Sequence, residues 1–163
     1  MSRRMSWSAW ISLAVAVVMA AIPAPSAAQS GFSAADNAAF KAYVLDAGKV
    51  NRFIAGLSAL AMAKQTDDAI AEEYESMTSE DSSSLAQYRA RLARHPRLFA
   101  FFQRQNLTVD DAVLISLVIT FAGVEIAVPG QMADAVSPAQ VNFVRSNAAL
   151  VERLSAANEA LEN

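Results

Sequence analysis

The chain has 163 residues, 54% of them hydrophobic, no cysteine and a net charge of −3 at pH 7. The absence of cysteine excludes disulfide bonds, thiolate metal sites, a cysteine nucleophile and a lipid anchor on an N-terminal cysteine. All 16 acidic residues and 11 of the 13 basic ones lie beyond Ala28, which gives that part a net charge of −5 and argues against a nucleic-acid partner.

The first 28 residues have the layout of a secretory signal peptide. Arg3 and Arg4 give a positive start, an apolar run follows over residues 9–22, and small residues occupy positions 26–28. We expect cleavage before Gln29 and a mature protein that is periplasmic or secreted in a bacterium. The general secretory route is favoured; twin-arginine export is the alternative, although the usual Phe-Leu pair does not follow the arginines. The apolar run is too short to be read as a membrane span.

Residues 29–163 are predicted to form a single all-α domain, a bundle of five to six helices. Alanine is abundant there, and apolar residues recur at helical spacing. Ser33 predicts the start of a short first helix that ends near Tyr43. Asp46 predicts the N-cap of a second helix that runs to about Lys64.

The segment 65–84 is predicted to be an exposed acidic and polar excursion. Thr66 is the expected cap of a third helix that reaches about Met77, and this helix has few apolar residues. Residues 67–81 contain seven acidic residues and no basic one, whereas residues 89–104 contain five arginines and no acidic one. Two interpretations remain open: solvated helix faces that attract each other, or an arginine-lined site for an anionic group.

A fourth helix is predicted over residues 85–94, and His95 followed by Pro96 marks its end. Proline biases the preceding residue away from the helical region and can open the next helix at its first position. His95, the only histidine, is therefore interpreted as a helix C-cap. In the following helix Phe99 points away from the apolar face, so that a neighbouring helix or a partner must cover it.

Residues 109–128 predict the hydrophobic centre of the bundle, because this helix is apolar on all sides. A membrane hairpin is the alternative, and Glu125 argues against it because a charge in lipid is costly. Thr108 is predicted to cap the helix over 109–128, in an acidic variant of the capping box that includes Asp111. Ser137 and Pro138 then open one last helix, with Gln140 as the reciprocal residue of the cap, and this helix reaches the region of Leu161. Its two apolar stripes suit a helix between two neighbours, or between one neighbour and a partner chain.

Five short motifs are spread over most of residues 29–163: Tyr43-Val44-Leu45-Asp46, Lys49-Val50, His95-Pro96, Asn106-Leu107-Thr108 and Asn142-Phe143-Val144. Together they resemble a group of small secreted all-helical proteins from bacteria with no assigned activity. The resemblance implies one exported all-α domain and implies no function. The segment 66–84 has no counterpart in that group, and Asn106 stands where glycine is expected.

Glu125 is the leading candidate for a functional residue, because a carboxylate on an apolar helix must meet a cation or become a weaker acid. It either pairs with an arginine at the rim of the bundle or grips a ligand. His95, Arg97, Phe99 and Arg104 are the other candidates for contacts with a ligand or partner. The sequence has no clustered histidines, no G-x-S-x-G and no glycine-rich phosphate loop, so no catalytic residue, metal site or cofactor is predicted.

These features favour a non-catalytic exported helical bundle that binds an apolar ligand or a protein partner. Neither nucleic acid nor an integral membrane span of the mature chain is expected, and the oligomeric state stays open. The alternative is a small enzyme that uses Glu125, His95 and an arginine on an anionic substrate. That alternative requires the three groups to converge in one cleft.

Overall fold

The computed structural model describes residues 32–162, and every regular element within them is a helix. In chain order these are α1 (Ala34–Ala42), α2 (Ala47–Lys64), α3 (Asp68–Thr78), α4 (Leu85–Arg94), α5 (Pro96–Gln103), α6 (Val109–Ala127), α7 (Pro138–Ser146) and α8 (Ala148–Glu162). The all-α prediction is confirmed, but the described residues form eight helices instead of five to six. The predicted signal peptide, residues 1–28, lies outside the described residues.

The long helix α2 organises one side of the bundle. The carboxylate of its N-cap Asp46 accepts the backbone N–H of Lys49 at 2.8 Å, and its apolar face is buried against α3, α5, α6 and α8. Gly56 lies where α5 comes closest, since a Cβ atom at this position would be 2.8 Å from Cδ1 of Phe102. The ring of Phe102 in turn stacks on that of Phe53 at 5.2 Å between centroids.

Helix α6 forms the centre of the fold. A reciprocal pair of hydrogen bonds between Thr108 and Asp111 caps its first turn, and all residues over 111–122 are buried. From Gly123 onwards the helix emerges from the core, and it ends at Ala127. The prediction of a helix buried on all sides therefore holds for its first three turns.

The single last helix that the sequence predicts is in fact two helices, with the break at Asn147. Its backbone N–H and its Nδ2 both donate to the carbonyl of Phe143, at 3.0 and 2.8 Å. An asparagine amide can compete in this way with the helical hydrogen bonds, and here it ends α7. α7 then packs on α6 whereas α8 packs along α2, so that the segment contacts two neighbours through two separate helices.

The acidic segment is anchored more firmly than the sequence suggests. Asp67, not Thr66, is the N-cap of α3, because its carboxylate accepts two backbone N–H groups of the first turn. The Thr66 hydroxyl instead donates to carbonyls in the last turn of α2. Most polar residues of α3 face solvent, but Glu73 is only partly exposed, and Ile70, Tyr74 and Met77 are buried. The description of segment 65–84 as an exposed excursion is therefore correct only for its polar face.

Among residues 32–162, none of the helices combines the length and the hydropathy that a bilayer crossing requires.

Candidate functional site

The most densely bonded buried charge belongs to Asp111, in the first turn of α6. Its Oδ2 accepts the backbone N–H of Thr108 at 3.2 Å and the hydroxyl of the same residue at 2.9 Å. Its Oδ1 accepts the hydroxyl of Tyr43 and the ammonium group of Lys49, both at 2.8 Å. The Lys49 ammonium also lies 5.5 Å from the centre of the Tyr43 ring. These four residues are called the Asp111 cluster below.

The electrostatics of the Asp111 cluster fix the protonation state of its members. Burial raises the pKa of the Asp111 carboxyl, but the hydrogen bonds from Lys49, Tyr43 and Thr108 outweigh it and lower the pKa to about 2. Burial and the neighbouring carboxylate raise the pKa of the Tyr43 hydroxyl well above its usual value. Asp111 is therefore an anion and Tyr43 a neutral donor at neutral pH. The cluster is a saturated joint between α6 and the α1–α2 connection.

The α1–α2 connection is also held by α7, through hydrogen bonds of one buried side chain. Gln140, in the first turn of α7, is 2% exposed. Its Nε2 donates to the carbonyls of Phe40 and Tyr43, at 2.7 and 2.6 Å. These carbonyls lie at the end of α1, where a helix leaves its last carbonyls short of partners; that of Phe40 also accepts the backbone N–H of the C-cap residue Tyr43. The segment around Tyr43 is thus fixed by α6 through its side chain and by α7 through its backbone.

His95 lies between α4 and α5, as its interpretation as a cap requires. Its backbone N–H donates to the carbonyl of Leu92, and the residue is 8% exposed. Its Nε2 lies 3.1 Å from Oε1 of Glu80, and its Nδ1 lies 3.8 Å from Oε1 of Glu73. The other carboxylate oxygen of Glu80 pairs with Arg94. Hydrogen bonds from His95 and Arg94 lower the pKa of the Glu80 carboxyl.

Two further arginines of residues 89–104, Arg91 and Arg89, differ from each other in burial and in their partners. Arg91 is buried, donates to the backbone carbonyl of Glu80 and lies 4.9 Å from the centre of the Tyr88 ring. Arg89 forms an exposed ion pair with Asp110 at 2.6 Å. Contacts between the acidic and the arginine-rich segments thus centre on Glu80. This arrangement agrees with the interpretation that the two segments attract each other.

Arg97 and Arg104, the exposed candidates from the sequence, take no part in the contacts of His95 and Glu80 described above. Arg97 is exposed, and Arg104 is exposed with its guanidinium 5.3 Å from the centre of the Phe101 ring. Phe99 is half-buried and packs against the core. A neighbouring part of the bundle therefore covers Phe99.

Within residues 32–162 no arginine pairs with Glu125, and this part of the prediction is wrong for the described residues. Its Oε1 accepts the backbone N–H of Gly130 at 2.7 Å, and its Oε2 accepts that of Met132 at 2.8 Å. Gly130 has a φ of 92°, a conformation that side chains with a Cβ atom rarely adopt. The chain turns back there and directs free N–H groups at the carboxylate. Glu125 thus ties the loop after α6 to the end of that helix.

A small cavity lies among α2, α3, α4, α5 and α6. Its volume is about 40 Å³. Pockets that hold drug-sized ligands measure roughly 300–1,000 Å³. The residues that line it are almost all apolar: Phe53, Leu60, Met77, Tyr88, Arg91, Leu92, Leu98, Phe102, Ala112 and Val113. The cavity is therefore too small for a lipid or a comparable apolar molecule.

The described residues thus define an all-α bundle in which Asp111, Gln140 and His95 connect different helices and loops through buried polar contacts. Across residues 32–162, no group of three His, Cys, Asp or Glu side chains is arranged to hold a metal ion. Comparison with family models, with curated proteins and with solved structures finds no match to this chain.

The long-range hydrogen bonds of the Asp111 cluster and of Gln140 were not predicted from the sequence. The caps predicted at Thr108 and Ser137 imply that Asp111 and Gln140 each bond to the residue three positions earlier. These local bonds are confirmed. A capping side chain keeps donor or acceptor atoms that the cap does not use. These unused atoms are the sequence signal that could have indicated bonds to distant residues. Tyr43 and Thr108 both belong to motifs of the resemblance, and the structure brings them together.

Proposed function

We propose that this protein is a non-catalytic exported helical bundle that acts by binding another protein in the periplasm. The observation that favours a protein partner over an apolar ligand bound in the cavity among α2–α6 is the volume of that cavity, about 40 Å³. An apolar ligand of ordinary size would need a pocket roughly ten times larger. A partner is therefore expected to bind at the surface of the bundle.

The environment of the ionisable groups supports a role without catalysis. Glu125 holds backbone N–H groups of the loop after α6, whereas His95 faces carboxylates from α3 and the α3–α4 loop. Asp111 is saturated by its four hydrogen bonds. Each group has a structural task with different partners. These contacts give no support to the alternative enzyme built on Glu125, His95 and an arginine.

The surface also offers apolar side chains to a partner. Val44 is 76% exposed, Met62 71% and Val128 52%. Single exposed apolar residues are common and are not by themselves an interface. They are suitable positions for testing one, because a charge placed there would not disturb the core.

Export and binding are tested together by expressing the full chain in a bacterium and recovering it from the periplasm. Intact mass should show a chain that begins at Gln29, and native mass spectrometry should show a complex with a second protein chain or a second copy. A chain that keeps residues 1–28 and stays in the cytoplasm would contradict export. A lipid-sized adduct would contradict the choice of a protein partner, and a monomer without any adduct would contradict binding.

A matched pair of variants locates the contact. Met62→Glu places a charge on an exposed apolar position of α2, and Ser58→Glu does the same at an exposed polar position of that helix. If the partner covers Met62, the first variant should lose the complex and the second should weaken it less. The same comparison can be made at Val44 and Val128.

A further inference from the structure

Four side chains connect α3 to the junction of α4 and α5. Glu73 belongs to α3, Glu80 to the α3–α4 loop, Arg94 to the last turn of α4, and His95 is the residue between α4 and α5. They are called the His95 joint below. Glu80 and Arg94 are partly exposed, whereas the imidazole is largely buried. The joint thus combines one titratable buried ring with groups from three different segments.

The geometry makes the joint sensitive to the charge of the imidazole. An ionised carboxylate only accepts hydrogen bonds, and a neutral imidazole has a single N–H. In the described arrangement each ring nitrogen faces a carboxylate, Nε2 that of Glu80 at 3.1 Å and Nδ1 that of Glu73 at 3.8 Å. Only the doubly protonated ring attracts both. A neutral ring that keeps its N–H towards Glu80 presents a lone pair to Glu73.

Loss of the imidazole proton of His95 should therefore weaken the attachment of α3 more than that of the α3–α4 loop. Glu80 keeps Arg94 on its carboxylate and Arg91 on its backbone carbonyl, and arginine stays charged at every relevant pH. Within residues 32–162, the ion-pair contact of Glu73 is with His95. α3 is otherwise held mainly by its three buried residues Ile70, Tyr74 and Met77, and by the contact of Lys64 with the Tyr74 ring.

We propose that the His95 joint is a pH-sensitive lock that holds α3 on the bundle while His95 is protonated and loosens it when His95 is neutral. Met77 lines the small cavity, so that a loosened α3 opens this cavity on one side. The apolar residues of α2, α4 and α5 beneath it then become accessible. The proposal concerns the motion of α3 alone and does not require a partner.

The other charged groups around α3 do not produce the same response. On α2, the Lys64 ammonium lies 5.0 Å from the centre of the Tyr74 ring. Burial raises the pKa of the Tyr74 hydroxyl to about 12, so that this contact does not titrate at neutral pH. On α5, Arg97 is exposed. Histidine is the side chain that ordinarily changes charge between about pH 5 and pH 8, and carboxylates titrate below this range.

Hydrogen exchange followed by mass spectrometry tests the proposal on the mature chain. Protection of α3 amides, corrected for intrinsic exchange, should be about fivefold lower at about pH 8 than at about pH 5.5. Peptides from α8 should not change over this range and serve as the internal reference. Equal protection of α3 at the two pH values would overturn the proposal.

Two variants assign the response to the joint. His95→Gln is neutral at both pH values, so that α3 protection should no longer depend on pH. Arg97→Gln, which removes a nearby exposed charge, should respond like the wild type. If His95→Gln does not fold, Glu73→Gln tests the proposal instead. Its amide can donate to a neutral imidazole, so that this variant should abolish or invert the pH dependence of α3 protection. A wild-type response in His95→Gln or in Glu73→Gln would overturn the proposal.

Discussion

Replacing Asp111 by asparagine removes the buried charge of the Asp111 cluster at almost constant side-chain size. In the native protein Oδ2 accepts from Thr108, and Oδ1 accepts from Tyr43 and Lys49. An asparagine has one acceptor oxygen, so that its NH₂ group must face donors on one of these two sides. Asp111→Asn is therefore expected to lower the free energy of unfolding at neutral pH.

The magnitude follows from the pKa of the Asp111 carboxyl. In the folded protein it lies at about 2, against a usual value of 3.8. At about 1.4 kcal/mol per unit, the difference corresponds to about 2.5 kcal/mol of stability. Because the folded pKa is the lower one, this contribution is complete above about pH 5 and is lost as the pH falls through about 2. The advantage of the wild type over Asp111→Asn should shrink accordingly.

Urea denaturation of the protein, followed by circular dichroism at several pH values, measures this difference. Asp110→Asn is the matched control, because the neighbouring carboxylate is exposed and forms an exposed pair with Arg89. Such pairs contribute roughly 0–1 kcal/mol. The reasoning would be refuted if the loss in Asp111→Asn were the same at about pH 7 and about pH 3, or if the control lost as much.

Two further predictions concern the core. Gly56→Ala should destabilise by about 1–2 kcal/mol in thermal or urea unfolding, because the clash with Phe102 exceeds the gain in helix propensity. Gly123→Ala in α6, with nothing within 4 Å of the added atom, should instead stabilise, and equal effects would contradict the packing argument. Asn158→Leu should raise stability by about 1–2 kcal/mol, because the asparagine is 1% exposed and neither amide atom has a hydrogen-bond partner. Asn142→Leu, at an exposed position, should change stability by less than about 0.5 kcal/mol, and a loss of stability in Asn158→Leu would show that its amide is satisfied.

The helix starts could be predicted from the sequence because their signals are local. Ser33, Asp46, Thr108 and Ser137 each cap the helix that follows, as expected. A cap depends on residues three positions apart, and this spacing is visible in a single sequence. His95 likewise ends α4 where the following proline predicts a break.

The errors concern features that depend on competition between neighbours. Thr66 and Asp67 are both good N-cap residues, and the sequence does not decide between them. Asn147 stands within a periodic apolar pattern, and the sequence does not show that its amide ends α7 there, so that α7 packs on α6 and α8 packs along α2. Glu125 was expected to need a cation, but a turn that exposes N–H groups satisfies a carboxylate equally well.

The Asp111 cluster shows why the polar joints were harder to find than the helices. The cap at Thr108 explains the choice of an acidic residue at position 111, so that the sequence gives no reason to look for a second role. One carboxylate oxygen is sufficient for that cap, and the other is left for partners 62 and 68 positions away in the chain. A short acidic side chain that caps a helix destined for the core must therefore find further donors, because burial leaves its second oxygen without water. Applied to Ser137 and its partner Gln140, the same reasoning predicts that the amide NH₂ of that glutamine, which the cap does not use, needs acceptors elsewhere; the structure places them at the end of α1.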